Sequence, residues 1–133
     1  QFIADSIYTF ASQRDRQKGE SFVHGFTLAL TSMCRFYRPI SELDNQNGYA
    51  DIFLRPRQEI YDDMEHSYII ELKYLNSKAT DAQVASSIEQ AKAQVCCYAD
   101  TVNAKEQIGT TTLHKVYVVY HGVEMVACEE VVE

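Results

Sequence analysis

The stretch Tyr68-Ile69-Ile70-Glu71-Leu72-Lys73-Tyr74-Leu75 places a carboxylate and an ammonium two residues apart inside an otherwise apolar run. Side chains two apart on a strand point to the same side, so Glu71 and Lys73 share one face while Ile70, Leu72 and Tyr74 share the other. A strand that only fills a core has no use for that pair. Upstream, Gly48-Tyr49-Ala50-Asp51-Ile52-Phe53-Leu54 reads as a second strand, with Asp51 at the head of an apolar segment where a lone buried charge is costly. Together they form an Asp…Glu-x-Lys set: two oxygen donors for a hard divalent cation, and an amine to hold or polarise a water. The bland alternative is a partly exposed ion pair of Glu71 and Lys73 on an edge strand, which contributes little stability.

The rest of the chain arranges itself around these two strands. Residues 2 to 14 carry Phe2, Ile3, Ile7, Phe10 and Ala11 at helical spacing, so residues 1–16 are expected to form an extra N-terminal helix before a polar loop. From Glu20 to about Tyr37, apolar residues at 22, 26, 29, 30, 33 and 37 predict a long amphipathic helix ended by Pro39. Ile40 to Leu43 reads as a short strand, joined through the turn-forming Asp44-Asn45-Gln46-Asn47-Gly48 to the Asp51 strand. After the Glu71 strand, Thr80 or Asp81 caps a helix over about 82–104, with Val84, Ile88, Ala91, Val95 and Tyr98 on one stripe. Val116 to Tyr120 is a dense β-branched and aromatic strand, with a weaker companion from Val123 to Val132. The order helix, three strands, helix, strand, strand predicts an α/β (α+β) fold: a mixed central β-sheet flanked by helices.

The totals set bounds on this reading. With 133 residues, 46% of them hydrophobic, one domain over residues 1–133 has enough core to fold without staples. No apolar run approaches the ~20 residues of a membrane span, and no signal segment opens the chain, so a cytoplasmic protein without membrane contact is expected. The first residue is Gln1 and the last ones continue a strand pattern, which suggests a piece of a longer polypeptide. Cysteines at 34, 96, 97 and 128 show no metal-finger spacing and read as reduced, packed thiols. The net charge of −7 argues against broad binding to phosphate backbones, leaving local contacts from Arg35, Arg38, Arg55 and Arg57. Carboxylates that hold a cation add to that negative count until the ion arrives.

Five segments occur in one order over roughly 80 residues: Glu20 to Phe26, Ser41-Glu42, Gly48 to Asp51, Tyr68 to Lys73, and Gln94-Val95-Cys96-Cys97-Tyr98. In these the chain resembles the PD-(D/E)XK nuclease superfamily, particularly the nuclease-like domain that follows an AAA-ATPase-like region in many bacterial proteins. It departs where Ala50 replaces the proline of the family name and where Tyr49 stands in place of a frequent arginine. The resemblance implies a restriction-endonuclease-like core of order α-βββ-α-β(β) and a Mg²⁺- or Mn²⁺-dependent nuclease acting on nucleic acid, DNA ahead of RNA. It also implies an AAA-ATPase-like region of the same longer chain as a partner.

By that resemblance Asp51, Glu71 and Lys73 are the catalytic set, and Asp51, Glu71, the Leu72 carbonyl and Glu20 are the metal ligands. Gln94 and Tyr98, one helical turn apart, resemble a helix motif that borders the active site in nucleases of the recombination-helicase type. Read without it, Tyr98 is core and Gln94 half-exposed packing. His24, one turn after Glu20, either faces the same cleft or is a hydrogen-bonded boundary histidine, and Glu42 is a neighbour of the site. His66, His114 and His121 stand isolated and receive no role. The competing reading is a catalytically inactive regulatory or docking module of an AAA-ATPase-like protein, motivated by the acidic surface. Nothing in the chain specifies an oligomeric state.

Overall fold

Strand pairing builds this molecule, and the helices are placed by which strand face they cover. The computed structural model describes residues 19–45, 48–100 and 102–132, and for residues 20, 42–45, 48–50 and 102–104 it describes the backbone alone. The helix expected over 1–16 lies outside the described residues.

The elements are α1 (Glu20–Ser32), β1 (Tyr37–Asn45), β2 (Gly48–Pro56), β3 (His66–Leu75), α2 (Asp81–Ala99), α3 (Val102–Ile108), β4 (Thr112–His121) and β5 (Glu124–Glu130). They form one five-stranded sheet in the order β1-β2-β3-β4-β5. Strands β3 and β4 run parallel and all other neighbours antiparallel. A parallel pair cannot be closed by a tight turn, and α2 with α3 forms the crossover that it needs. The result is a mixed sheet flanked by helices, an α+β fold consistent with a restriction-endonuclease-like core.

The period-two alternation of β3 separates the two faces. Leu72, with Ile70 beside it, joins Ile52, Val118 and Tyr120 under Phe22, Val23 and Phe26 of α1. Ile69 turns the other way, to Phe53 and to Val95 and Tyr98 of α2. Further along that face, Tyr117 and Val119 lie against Ala91 of α2. Gly19 opens α1 at φ 73°, and a side chain there would meet the Tyr74 ring at 3.5 Å, so the start of α1 sits tightly beside the end of β3.

Helix α1 stops at Ser32 rather than near Tyr37. Met33 and Phe36 continue the helical spacing, but they are 80% and 47% exposed, and Tyr37 already pairs with Pro56 in β1. Pro39 therefore lies inside a strand, which is tolerated because β1 is the sheet edge and its outer side requires no N–H. The helix expected over 82–104 ends at Ala99, with α3 following as a separate short helix.

Of the two caps, Thr80 is the one used. Its hydroxyl accepts the Gln83 N–H at 3.3 Å, while Gln83 Oε1 accepts the Thr80 N–H at 2.8 Å. No helix among the described residues is long and apolar enough to cross a membrane.

Candidate active site

The β2–β3 ladder pairs Leu54 with Tyr68, Phe53 with Ile69 and Ile52 with Ile70. Carried one step further, that register sets Asp51 opposite Glu71. The ladder stops short of them, and Asp51 Oδ2 instead accepts the Leu72 N–H at 2.6 Å. A carboxylate thus satisfies a strand N–H at the point where the neighbouring backbone withdraws, through a charge-assisted bond.

Glu71 and Lys73 share the face covered by α2, as period two requires. Lys73 Nζ lies 2.8 Å from Glu71 Oε1, with the Glu71 side chain 2% exposed and that of Lys73 21%. This excludes the edge-strand reading, because β3 is the central strand and Glu71 is among the most buried residues. Keeping a carboxylate ionised at that depth is costly unless a cation sits beside it, and the Lys73 ammonium does.

Tyr98 combines the two roles left open for it. Its ring packs with Phe53, Ile69 and Val95. Burial raises the pKa of its hydroxyl first; the Glu71 and Asp51 carboxylates push it the same way, and Lys73 opposes them. The hydroxyl is therefore within electrostatic reach of all three. One turn earlier, Gln94 buries its Oε1 with no hydrogen-bond partner among the described residues. Leu72 serves Asp51 through its N–H and turns its side chain into the opposite core. Glu20 begins α1, but its side chain, like that of Glu42, lies outside the described residues.

Among the described residues no group of three or more His, Cys, Asp or Glu is arranged to hold a metal ion. Two carboxylates on adjacent strands still suit one class of ion: a hard cation that keeps most of its waters and takes one or two carboxylates from protein. They do not suit the closed nitrogen and sulfur shell of structural zinc.

His24 meets the Asp51 strand from α1. Its Nε2 lies 3.0 Å from the Asp51 carbonyl oxygen and 3.3 Å from Ser41 Oγ. A carbonyl only accepts, so Nε2 carries the hydrogen. His24 thus ties α1 to the backbone of Asp51 from the opposite face of the sheet, the contact of a hydrogen-bonded boundary histidine. The helical spacing placed His24 on α1, but no local signal points to a carbonyl 27 residues away. His66 and His114 also meet, with 2.9 Å between His66 Nδ1 and His114 Nε2, and His114 Nδ1 lies 2.7 Å from Glu130 Oε1. That cluster lies at the other end of β3 from Glu71 and stands apart from the site.

A family model described as the PD-(D/E)XK nuclease superfamily matches residues 18–130. The chain belongs to this superfamily. No curated protein and no solved structure matches it. Membership in the PD-(D/E)XK superfamily makes nucleic acid the substrate class suggested for the chain, and nucleases of this superfamily generally use divalent metals. The departures at Tyr49 and Ala50 fall just before Asp51 and leave its carboxylate in place.

Proposed function

We propose that this protein is a metal-dependent nuclease that hydrolyses phosphodiester bonds of nucleic acid, DNA ahead of RNA, through Asp51, Glu71 and Lys73. The observation that carries the reading is the buried Glu71–Lys73 pair on the central strand, at 2.8 Å, facing the same side as Asp51 where the β2–β3 ladder ends. An apolar pair of similar volume is often as stable as a buried ion pair or more so, so folding alone does not account for these residues.

Asp51 and Glu71 would hold Mg²⁺ or Mn²⁺, with the Leu72 carbonyl and Glu20 completing the protein ligands. When bound, the cation neutralises charge building on the phosphate and makes hydroxide available near neutral pH. Lys73 orients the attacking water and stabilises negative charge on the phosphate oxygens. The Leu72 N–H fixes the Asp51 carboxylate and His24 fixes its carbonyl, so Asp51 is held at both ends. Tyr98, with its pKa raised, stays protonated at neutral pH and remains a hydrogen-bond donor at the rim, next to Gln94. The resemblance to nuclease-like domains that follow AAA-ATPase-like regions suggests such a region of a longer chain as its partner.

The test is cleavage of labelled single- and double-stranded DNA and RNA with Mg²⁺ or Mn²⁺, in the full-length context, comparing the natural protein with Lys73→Ala. Circular dichroism checks that the variant is folded. Cutting that disappears in Lys73→Ala supports the assignment. If no substrate is cut, and calorimetry detects no Mn²⁺ binding that depends on Asp51 and Glu71, the proposal fails and a regulatory or docking module takes its place.

A further inference from the structure

Beyond Lys73, β3 enters the wall of an open cleft of about 640 Å³, formed by Tyr74 and Leu75, by Lys78 in the following loop, and by Gln83, Ser87 and Gln90 of α2. Its lining contains one cation, Lys78, and no carboxylate, in a chain with 19 Asp and Glu against 12 Lys and Arg. The cleft is thus free of the charge that repels phosphate over much of the surface.

The cleft also leads to the site. Lys92 reaches over the Tyr117 ring, 5.6 Å from its centroid, so that flank of α2 overlies β4. Ser87, Gln90 and Gln94 occupy the other flank at three- and four-residue steps, and Tyr98 follows one turn later. A row of hydroxyl and amide groups therefore runs from the cleft to Tyr98, which packs on Ile69, two residues before Glu71 on the same face of β3. Gln83 is committed to the helix cap, and Lys78, Ser86, Ser87 and Gln90 are further polar side chains of the lining that a ligand can meet.

We infer that this cleft holds a single strand of the nucleic-acid substrate beside the bond to be cut, an inference that rests on the nuclease reading above. Amides and hydroxyls offer donors and acceptors to base edges, which only an unpaired strand exposes fully. The volume is that of a small-ligand site, room for about two nucleotides and too little for a duplex. Charge points the same way: a duplex carries a phosphate per ~1.7 Å of axis and a single strand one per ~3.4 Å, so an acidic protein repels the single strand less.

The experiment is fluorescence anisotropy with labelled single-stranded oligonucleotides and their duplexes, in EDTA so that neither metal nor cleavage contributes. The variants are Gln90→Glu and Lys78→Gln, both at exposed positions. The single strand is expected to bind more tightly than the duplex. Gln90→Glu is expected to weaken single-strand binding about tenfold, and Lys78→Gln to reduce the slope of log K against log salt by about 0.7.

Equal or tighter duplex binding, no binding of either form, or unchanged affinity and slope in both variants overturns the cleft. Mn²⁺ calorimetry and cleavage separate this from the nuclease reading. Strand binding through the cleft without any cutting supports the cleft and sinks the nuclease. Cutting that survives both cleft variants with unchanged strand binding does the reverse.

Discussion

Replacing Lys73 with Met removes the ammonium, keeps most of the side-chain volume, and leaves the Glu71 carboxylate buried without its 2.8 Å partner. Breaking a buried pair from one side costs about 3–5 kcal/mol, because the surviving charge is no longer compensated. Lys73 is 21% exposed, so water reaches the gap and lowers the expected loss to about 2–3 kcal/mol. Over 133 residues, an unfolding entropy of about 2.1 cal/mol/K per residue converts this to a drop in Tm of about 7–11 °C.

The assay is thermal and denaturant unfolding at neutral pH in EDTA. Three features distinguish this mechanism from lost packing. In acid the difference shrinks, since a protonated Glu71 needs no cation. The double variant Glu71→Gln with Lys73→Met recovers more than half of the loss, since no buried charge remains. Mn²⁺ stabilises Lys73→Met more than the natural protein, and a ligand at 100 times its Kd adds about 2.7 kcal/mol. A Lys73→Met protein that melts within about 2 °C of the natural one, or whose deficit is the same in acid, refutes the reasoning.

Asp51→Asn keeps an oxygen that accepts the Leu72 N–H and is expected to melt near the natural protein while calorimetry shows Mn²⁺ binding weakened. Asp51→Ala also orphans that N–H and is expected to cost about 1–3 kcal/mol more in denaturant unfolding. His24→Ala is expected to cost about 1 kcal/mol, with His24→Gln recovering part of it; unfolding curves that match the natural protein would remove His24 as the tie on Asp51. Tyr120 is 1% exposed, and burial raises its pKa to about 12, with a smaller push from Cys128. A raised pKa means that the folded state holds the proton more tightly. This contribution is complete below the ordinary tyrosine value of about 10 and is lost as pH climbs through about 12. Urea midpoints should fall over that window, and less steeply in Tyr120→Phe.

The parts of this fold that could be read in the sequence are those set by local period, and the parts that could not are set by partners distant in the chain. Glu71 and Lys73 share a face because strand side chains alternate, and that needs no tertiary knowledge. The depth of Glu71 was not legible, because it follows from β3 being central, which depends on β4 pairing in parallel from His66–Thr112 to Leu75–His121. The end of α1 was misplaced for a similar reason. Met33, Phe36 and Tyr37 keep a helical spacing, and only the pairing of Tyr37 with Pro56 turns the last of them into strand. Tyr98 was legible both as core and as a neighbour of the site, since one residue on the sheet-facing stripe of α2 serves both. The His24 contact to the Asp51 carbonyl has no signature in residue type or spacing.

The end of the β2–β3 ladder accounts for the position of Asp51. The β3–β4 ladder continues to Leu75, whereas the β2–β3 ladder ends at Ile52–Ile70. Beyond Ile70, β3 keeps a backbone neighbour on one side only, so polar groups aimed at β2 must find other partners. The Leu72 N–H finds the Asp51 carboxylate, so main chain takes part in positioning it. Glu71 keeps its register with Tyr117 of β4, and Lys73 holds its side chain. A strand that separated without a carboxylate at its last position would leave an orphaned N–H, and a carboxylate without the separation would not have that N–H. It follows that substitutions extending the β2–β3 pairing past Ile52 would give the Leu72 N–H a backbone partner and release the Asp51 carboxylate, even with Asp51, Glu71 and Lys73 unchanged.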